Sequence, residues 1–314
     1  MSINWEKILT NSGIQMMGLD IGCSGGRPRE WERLGSALKY VGIDPLTSEV
    51  QRLRGLKEKN STYVDAFLDI PNAKGHADAE TSDLFVRTSA YSFSEEKFNS
   101  QKEIYNAGKK VLITENRIFV RDLLVDNNIG CLDLLKIDID GDDFLCMKEF
   151  GRLGQLKDLL SLQIESQFHG ENTELGNTLW NIGKEANKNE LHLFDLSINR
   201  YSRRELPSKF LYSFPAQTSH GQAMWGDSLF MKDAEKTNVS KIDLVKLIAI
   251  YEIYGFYDCA HELLQKKGND LKEFIPLRLI DSSLLESHAN REEKIDQKFK
   301  FDKYLIKKFL RKFG

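Results

Sequence analysis

The sequence predicts an α/β fold built on a doubly wound sheet of mixed strand direction. Short apolar runs alternate with helical patterns along most of the 314 residues, which is typical of parallel strands covered by helices on both faces. Two of these runs end on the carboxylates Asp20 and Asp44, with a glycine-rich turn between them. This arrangement is typical of a nucleotide-like ligand held at the edge of a parallel sheet.

The first seventy residues or so contain three predicted strands joined by predicted helices. A lead-in helix with Trp5 and Ile8 on one side comes first, over residues 1–15. The strands are expected at residues 15–19, 40–43 and 62–67. The helices between them, with apolar residues spaced by three and four, are expected at 30–38 and 48–56.

Further strands are predicted after Asp69, where the pattern is less regular until Val120. An exposed loop is expected at residues 88–92. The strand-like runs are at residues 84–87, 110–114, 132–137, 159–164, 191–196 and 228–231. The last two are expected to form the antiparallel edge that is common in mixed sheets.

The composition changes after about Asp233, which predicts a separate C-terminal part. Residues 242–264 read as a helical hairpin broken at Tyr254-Gly255-Phe256. We therefore predict three parts, a ligand-binding domain over 1–235, a helical appendage over 236–290 and a basic amphipathic helix over 291–314.

Composition excludes several classes of protein. The net charge of −3 gives no sign of a nucleic-acid partner. The four cysteines form no C-x-x-C pair and are expected to be reduced thiols of a cytoplasmic protein. Glu6 and Lys7 precede any apolar run, so no signal peptide is expected. No apolar run approaches the roughly 20 residues of a membrane span.

The glycine-rich turn after Asp20 favours a ligand that carries a positive charge. A turn without any ligand is the plainest alternative, and a dinucleotide site is another. Asp20 would repel the pyrophosphate of a dinucleotide, but it suits the amino and sulfonium groups of S-adenosylmethionine. The helix expected near Arg29 would direct its N–H groups at the methionine carboxylate.

Each part of that cofactor has predicted contacts. Asp20 is expected beside the methionine moiety, Asp44 on the ribose hydroxyls, and Asp65 and Ala66 beside the adenine. The turn itself contributes the remaining predicted cofactor-binding residues Gly22, Cys23, Ser24 and Gly26.

A second motif over residues 133–143 contains several carboxylates after a predicted strand. Asp138 would lie at the carboxyl end of that strand and line the site. Lys136 would neutralise part of the negative charge, and Asp140-Gly141 would form a turn. Asp142 and Asp143 are expected to cap the next helix.

Three segments together resemble the FkbM-type S-adenosylmethionine-dependent methyltransferases. They are Leu19-Asp20-Ile21-Gly22 with its glycines, Leu134-Leu135-Lys136-Ile137-Asp138-Ile139-Asp140-Gly141, and Trp225-Gly226-Asp227-Ser228-Leu229-Phe230. The loop Ser89-Ala90-Tyr91-Ser92 is similar to a serine-rich loop of that family. The resemblance covers roughly residues 15–232, although the family has glutamate where this chain has Asp140.

The resemblance implies a sheet of the class I methyltransferase type and O-methylation of a sugar, often in bacterial glycan or glycosylated-metabolite pathways. A hydroxyl acceptor needs a base, and His169 has a suitable ordinary pKa. Asp138 and Glu165 are the other predicted catalytic residues. Alternatively, Asp138, Glu165 and His169 together would hold Mg²⁺ that acidifies a sugar hydroxyl.

The acceptor site is predicted from a basic run with an interleaved aromatic residue, because guanidinium forks and aromatic faces suit carbohydrates with phosphate or carboxylate groups. A solvated basic surface is the alternative. The predicted substrate-binding residues are Arg200, Tyr201, Arg203, Arg204, His220 and Trp225.

The tail 298–314 has phenylalanines and leucine on one side and basic residues on the other. Such a helix either packs on its own domain, binds a protein partner, or lies on an anionic membrane at the inner face.

Overall we predict a cytoplasmic S-adenosylmethionine-dependent O-methyltransferase acting on a sugar of a bacterial surface glycan. The alternatives are a small glycosylated metabolite as acceptor, or a degenerate methyltransferase that serves as an assembly subunit.

Overall fold

The computed structural model describes residues 3–73, 87–88, 114–139, 141–169, 173–209, 217–234 and 239–313, with side chains as far as Lys298. The chain divides into two units. One unit is formed by Met16–Pro28 and Leu38–Thr237, and the other by Met1–Gln15, Arg29–Ala37 and Asn238–Gly314. The predicted division into three parts, at residues 235 and 290, stays a prediction.

Helices and strands alternate as far as residue 232, and the described part of the chain after it is helical. In chain order they are α1 (Trp5–Asn11), β1 (Met16–Ile21), α2 (Arg29–Glu32), β2 (Leu38–Asp44), α3 (Thr47–Gly55), β3 (Ser61–Asp65), β4 (Phe67–Asp69), β5 (Arg117–Phe119), α4 (Val120–Asp126), β6 (Leu134–Ile137), α5 (Asp143–Arg152), β7 (Ser161–Gln167), α6 (Leu179–Lys188), β8 (Leu191–Leu196), β9 (Asn199–Tyr201), β10 (Gln222–Lys232), α7 (Lys241–Ile253), α8 (Tyr257–Leu271) and α9 (Leu277–Phe313).

The main sheet has the order β3-β2-β1-β6-β7-β10-β8, with β9 paired to β10. The neighbouring strands β3, β2, β1, β6 and β7 are all parallel to one another, whereas β10 is antiparallel to both β7 and β8. The strand order reverses between β1 and β6, as in doubly wound folds. The predicted doubly wound sheet of mixed strand direction, with C-terminal helices, is therefore confirmed.

The central strands are apolar because the sheet is covered on both faces, as expected for parallel strands. One face carries a hydrophobic core in which β1, β2, β6 and β7 pack against α4, α5 and α6. Leu19, Ile43 and Ile137 are at most 2% exposed at the centre of this core. The polar residues that interrupt these strands are therefore exceptions that need an explanation.

Several predicted boundaries were wrong. The first strand runs on to Ile21, so Asp20 lies within it and does not follow it. The helix predicted at 30–38 is only the single turn α2 followed by a 3-10 turn, because Gly35 takes a φ of +51° that ends the helix. The strands predicted at 84–87 and 110–114 and the loop at 88–92 lie almost entirely outside the described residues.

The unit that contains the C-terminal helices is organised around the buried Glu252, which is 2% exposed. Its carboxylate accepts hydrogen bonds from Trp5 Nε1 at 2.9 Å and from Arg33 Nη2 at 2.6 Å. This interaction links α1 and the segment after α2 to α7. Among the helices that the structure describes, none combines the length and apolar character needed to cross a membrane.

Candidate functional site

A cleft of about 640 Å³ opens at the carboxyl ends of β1, β2 and β6. This is the point where the strand order reverses, and doubly wound sheets bind ligands there. The volume is in the range of small-molecule sites. The described lining residues are Ile21, Gly22, Ser24, Ile43, Asp44, Pro45, Ala66, Phe67, Leu68, Asp69, Ile70, Ala73, Arg117, Asp138, Ile139 and Asp142.

Gly22 lets two strand ends approach more closely than any other residue would permit. Its φ is +84°, and a Cβ atom at this position would lie 1.9 Å from the carbonyl oxygen of Asp138. The backbone N–H groups of Gly22 and Cys23 both donate to the carbonyl of Ile43, at 2.9 and 3.1 Å. The Asp138 N–H donates to Ile21 at 2.9 Å. The floor of the cleft is thus three joined strand ends.

Asp44 lies at the end of β2, where the sequence predicted a ribose-binding carboxylate. Its Oδ1 accepts the Leu46 N–H at 2.8 Å, and the Ser24 backbone also donates to the carboxylate. Burial raises the pKa of Asp44, while these two N–H groups act in the opposite direction. The carboxylate is therefore held rigidly at the wall of the cleft.

The predicted turn residues divide into two groups. Gly22 and Ser24 line the cleft, whereas Cys23 is fully buried beneath it and Gly26 packs beside Leu53. Of the two residues predicted beside the adenine, Ala66 lines the cleft. Asp65 lies outside the described lining and accepts a hydrogen bond from Thr47 Oγ1 at 3.0 Å.

Asp20 is buried in β1 and interacts with protein groups. It is 1% exposed, and its carboxylate accepts hydrogen bonds from Tyr40 Oη at 2.9 Å and Lys136 Nζ at 3.4 Å. Burial raises the pKa of Asp20 to about 6 although Lys136 and Tyr40 lower it. Asp20 is absent from the cleft lining among the described residues, so its predicted contact with the methionine moiety stays a prediction.

Lys136 joins this buried carboxylate to the exposed one at the cleft. Its Nζ donates to Asp138 Oδ2 at 3.1 Å as well as to Asp20. Burial alone would lower the pKa of Lys136, but the two carboxylates outweigh it and raise the pKa. Lys136 therefore stays charged and holds Asp138, whose side chain is 41% exposed, at the edge of the cleft.

The loop after β6 is held from below by Asp143. Its carboxylate is completely buried and accepts the N–H groups of Ile139 and Gly141, each at 2.9 Å. Asn177 Nδ2 donates to it as well, at 3.0 Å. Asp142 occupies the N-cap position of α5 and lines the cleft. Of the two predicted caps, Asp142 therefore makes no side-chain capping hydrogen bond, and Asp143 bonds to the loop that precedes the helix.

The opposite wall comes from β4 and β5, a two-stranded parallel sheet that we did not predict. The guanidinium of Arg117 lies 5.4 Å from the centre of the Phe67 ring and 3.8 Å from Asp69. None of these three residues was predicted as a site residue, because only long-range pairing brings residue 117 beside residue 67. An apolar surface next to hydrogen-bonding groups can receive a planar base.

The cleft has an excess of negative charge. Asp44, Asp69, Asp138 and Asp142 line it, and Arg117 is the single cationic residue among the described lining residues. This distribution opposes an anionic pyrophosphate and favours a ligand with cationic groups.

The predicted catalytic residues lie along neighbouring strand ends. Glu165 is in β7, two residues before its end, and His169 follows that strand. Burial lowers the pKa of the half-buried His169, so its imidazole is neutral at physiological pH.

The described residues contain no group of three His, Cys, Asp or Glu side chains that could hold a metal ion, so the Mg²⁺ site predicted at Asp138, Glu165 and His169 is not supported.

Asp227 was missed, because only strand pairing reveals it. It stands directly opposite Glu165 in the antiparallel β7–β10 pair, so both side chains share one face. Burial raises the pKa of Asp227, Ser197 lowers it through a 3.0 Å hydrogen bond, and the charge of Asp138 raises it further. Three carboxylates therefore belong to the same sheet edge.

The predicted acceptor residues come together on the ribbon formed by β9 and β10. Trp225 Nε1 donates to Tyr201 Oη at 3.0 Å, and the guanidinium of Arg203 donates to Gln222 at 2.6 Å. The side chains of the three arginines and His220 are exposed. The six predicted residues Arg200, Tyr201, Arg203, Arg204, His220 and Trp225 lie outside the described cleft lining.

Comparisons with known proteins give distant likenesses. No protein-family model and no curated protein matches the chain. A SAM-dependent methyltransferase from Aquifex aeolicus is similar over 72% of this chain and 88% of its own, with 10% identity and a TM-score of 0.30. Sp1610 of Streptococcus pneumoniae, proposed to be a tRNA (m1A22) methyltransferase, is similar over 91% and 99%, with 11% identity and a TM-score of 0.29.

A third structure, of an uncharacterised Listeria monocytogenes protein, is similar over 91% of this chain and 99% of its own, with 8% identity and a TM-score of 0.31. Because the TM-scores and identities are this low, the fold is assigned from the order and direction of the strands.

Gly22→Ala is expected to lower the free energy of unfolding by more than about 3 kcal/mol, since it adds both backbone strain and a collision with the Asp138 carbonyl. Gly25→Ala is the matched control, because its φ is +94° but the added Cβ would meet open space. The control should cost about 1 kcal/mol. Urea unfolding measures both, and equal losses would contradict the close approach at Gly22.

Asp143→Asn is expected to flatten the pH dependence of stability. Burial raises the pKa of Asp143 from 3.8 to about 7, so the folded protein keeps a proton that the unfolded chain has released. The free energy of unfolding should therefore fall as pH rises from about 4 to about 7, and this contribution is level above that window. Urea unfolding between pH 4.5 and 8 tests this, with the exposed Asp126→Asn as control. Identical profiles for wild type and Asp143→Asn would refute it.

Proposed function

We propose that this protein transfers a methyl group from S-adenosylmethionine to a hydroxyl of a sugar. The observation that carries the proposal is the acidic cleft at the reversal of the strand order, with Gly22 at its floor. Its carboxylates suit the amino and sulfonium groups of S-adenosylmethionine, which supplies an activated methyl group when bound. They disfavour a dinucleotide, whose pyrophosphate is anionic.

The described residues fit the parts of this cofactor. The close approach of Gly22 to the Asp138 backbone fixes the floor of the cleft on which the cofactor would lie. Asp44 is held by two N–H groups and is suited to accept hydrogen bonds from the ribose hydroxyls. Phe67 and Ala66 offer an apolar wall for the adenine. Asp138 faces the cleft from the strand that bounds its other side.

The acceptor would bind beyond Asp138, towards β7 and β10. His169 is neutral at physiological pH and is suited to accept the proton of a hydroxyl. Trp225, whose indole N–H donates to the buried Tyr201, and the exposed guanidinium groups of the same ribbon suit a carbohydrate. The resemblance of the sequence motifs to the FkbM-type family supports the same acceptor class, including sugars of bacterial surface glycans.

Most of the rate enhancement in such a transfer comes from holding the two reacting groups in line and excluding water. The rigid floor formed by Gly22, Asp44 and the Lys136–Asp138 pair serves this requirement, because each of these groups is fixed by hydrogen bonds or close packing.

The cofactor part of the proposal is tested by isothermal titration calorimetry with S-adenosylmethionine, its demethylated product and NAD⁺. Wild type should bind the first two, and Asp44→Asn should weaken that binding by about 10- to 100-fold through the lost charged acceptor. Asp65→Asn is the matched control, because Asp65 ends the neighbouring strand without lining the cleft, and should change the affinity little. Binding of NAD⁺ alone would overturn the proposal, and binding of none of the three would favour an assembly subunit.

The catalytic part is tested by transfer of a labelled methyl group to a panel of sugars and glycosylated metabolites. With an acceptor found, His169→Ala should lower kcat by about 10²- to 10⁴-fold and remove the acidic limb of the pH profile. His192→Ala is the control, because His192 is also partly buried but lies in β8. Unchanged turnover and pH dependence in His169→Ala would eliminate His169 as the base.

A further inference from the structure

The last helix continues far beyond the residues that anchor it. At 1.5 Å per residue, the 37 residues of α9 span about 55 Å. Ile280, Ser283 and Leu284 are buried near its start. From Leu285 to Lys298 no side chain is buried, and Arg291 donates a hydrogen bond to the carbonyl of Gly255. We call the helical residues 285–297 the stalk.

The stalk separates the packed start of α9 from a final segment of different composition. Fourteen helical residues, about 21 Å along the axis, lie between Leu284 and Phe299. The stalk carries acidic and basic residues in mixed order, as expected for a solvated helix. The segment 298–314, called the foot below, carries seven Lys and Arg but only one acid, Asp302, although the whole chain has a net charge of −3.

The foot is amphipathic at helical spacing. At 100° per residue, six of its eight apolar or aromatic residues fall within an arc of about 140°, and the basic positions occupy most of the rest together with Phe301 and Tyr304. The six residues of the apolar arc are Phe299, Leu305, Ile306, Phe309, Leu310 and Phe313. The basic positions are Lys300, Lys303, Lys307, Lys308, Arg311 and Lys312.

We infer that the foot binds the surface of an anionic lipid bilayer and that the stalk holds the rest of the protein away from it. Basic residues attract anionic headgroups, while an arc rich in phenylalanine and leucine enters the boundary of the acyl chains. A nucleic acid would account for the positive charge but gives no role to a continuous apolar arc. The inference is independent of the proposed methyl transfer.

Co-sedimentation of the full chain with vesicles tests this inference. Vesicles of phosphatidylcholine with 30% phosphatidylglycerol are compared with vesicles of phosphatidylcholine alone, in low and high salt. Wild type should bind the anionic vesicles at least tenfold more tightly, and salt should weaken that binding. The triple variant Lys303→Glu, Lys307→Glu and Arg311→Glu should lose at least tenfold in affinity. Leu305→Ser with Phe309→Ser should lose a similar amount.

The controls separate the foot from the stalk and from general damage. Lys294→Glu changes one exposed charge of the stalk and should bind the vesicles nearly as wild type does. Circular dichroism and the melting temperature of every variant should match wild type, as expected of a segment that binds lipid and not the protein's own surface.

Three results would overturn the inference. The first is equal vesicle binding after deletion of residues 298–314. The second is the absence of vesicle binding together with a lower melting temperature in the apolar variant, which would place the foot on the protein's own surface. The third is salt-sensitive binding of RNA by a protein that ignores anionic vesicles.

Discussion

The close approach of two backbones at Gly22 is the constraint on which the rest of the candidate site depends. The end of β1 passes so near the carbonyl of Asp138 that no side chain fits between them. Because the same turn donates two N–H groups to Ile43 of β2, three strands end together at one place. The lining residues of these strands take their positions from this junction. The backbone N–H groups of Gly22, Cys23 and Asp138 are hydrogen-bonded to strand carbonyls and need no ligand to satisfy them.

A buried ion pair next to this junction determines how much negative charge the cleft presents. Asp20 would be an isolated buried carboxylate without Lys136 and Tyr40, and such a group is costly to bury. Lys136 also reaches the exposed Asp138. One ammonium group is thus shared between a carboxylate that serves the interior and one that serves the site.

The fold could be predicted because its signals are local. Apolar runs ending on acids and the helical spacing between them identify strands and helices without knowledge of their partners, and Gly22, Ser24, Asp44, Ala66 and Asp138 do lie at the cleft. The other wall could not be predicted. Arg117 meets Phe67 only through pairing across fifty residues, and Asp227 meets Glu165 only through the antiparallel insertion of β10. Motif spacing contains no information on such pairings.

The position of β10 has a consequence for how the protein is made. This strand is the last of the sheet in the sequence, yet it lies between β7 and β8. Residue 232, the last of β10, must therefore leave the ribosome before β10 can pair with β7 and β8. Until then the edges of β7 and β8 are open to incorrect pairing. Insertion of a late strand between two earlier ones also requires contacts distant in sequence, which slows folding. The proposed acceptor side of the site, which depends on β10, is thus the last part of the sheet to be completed during synthesis.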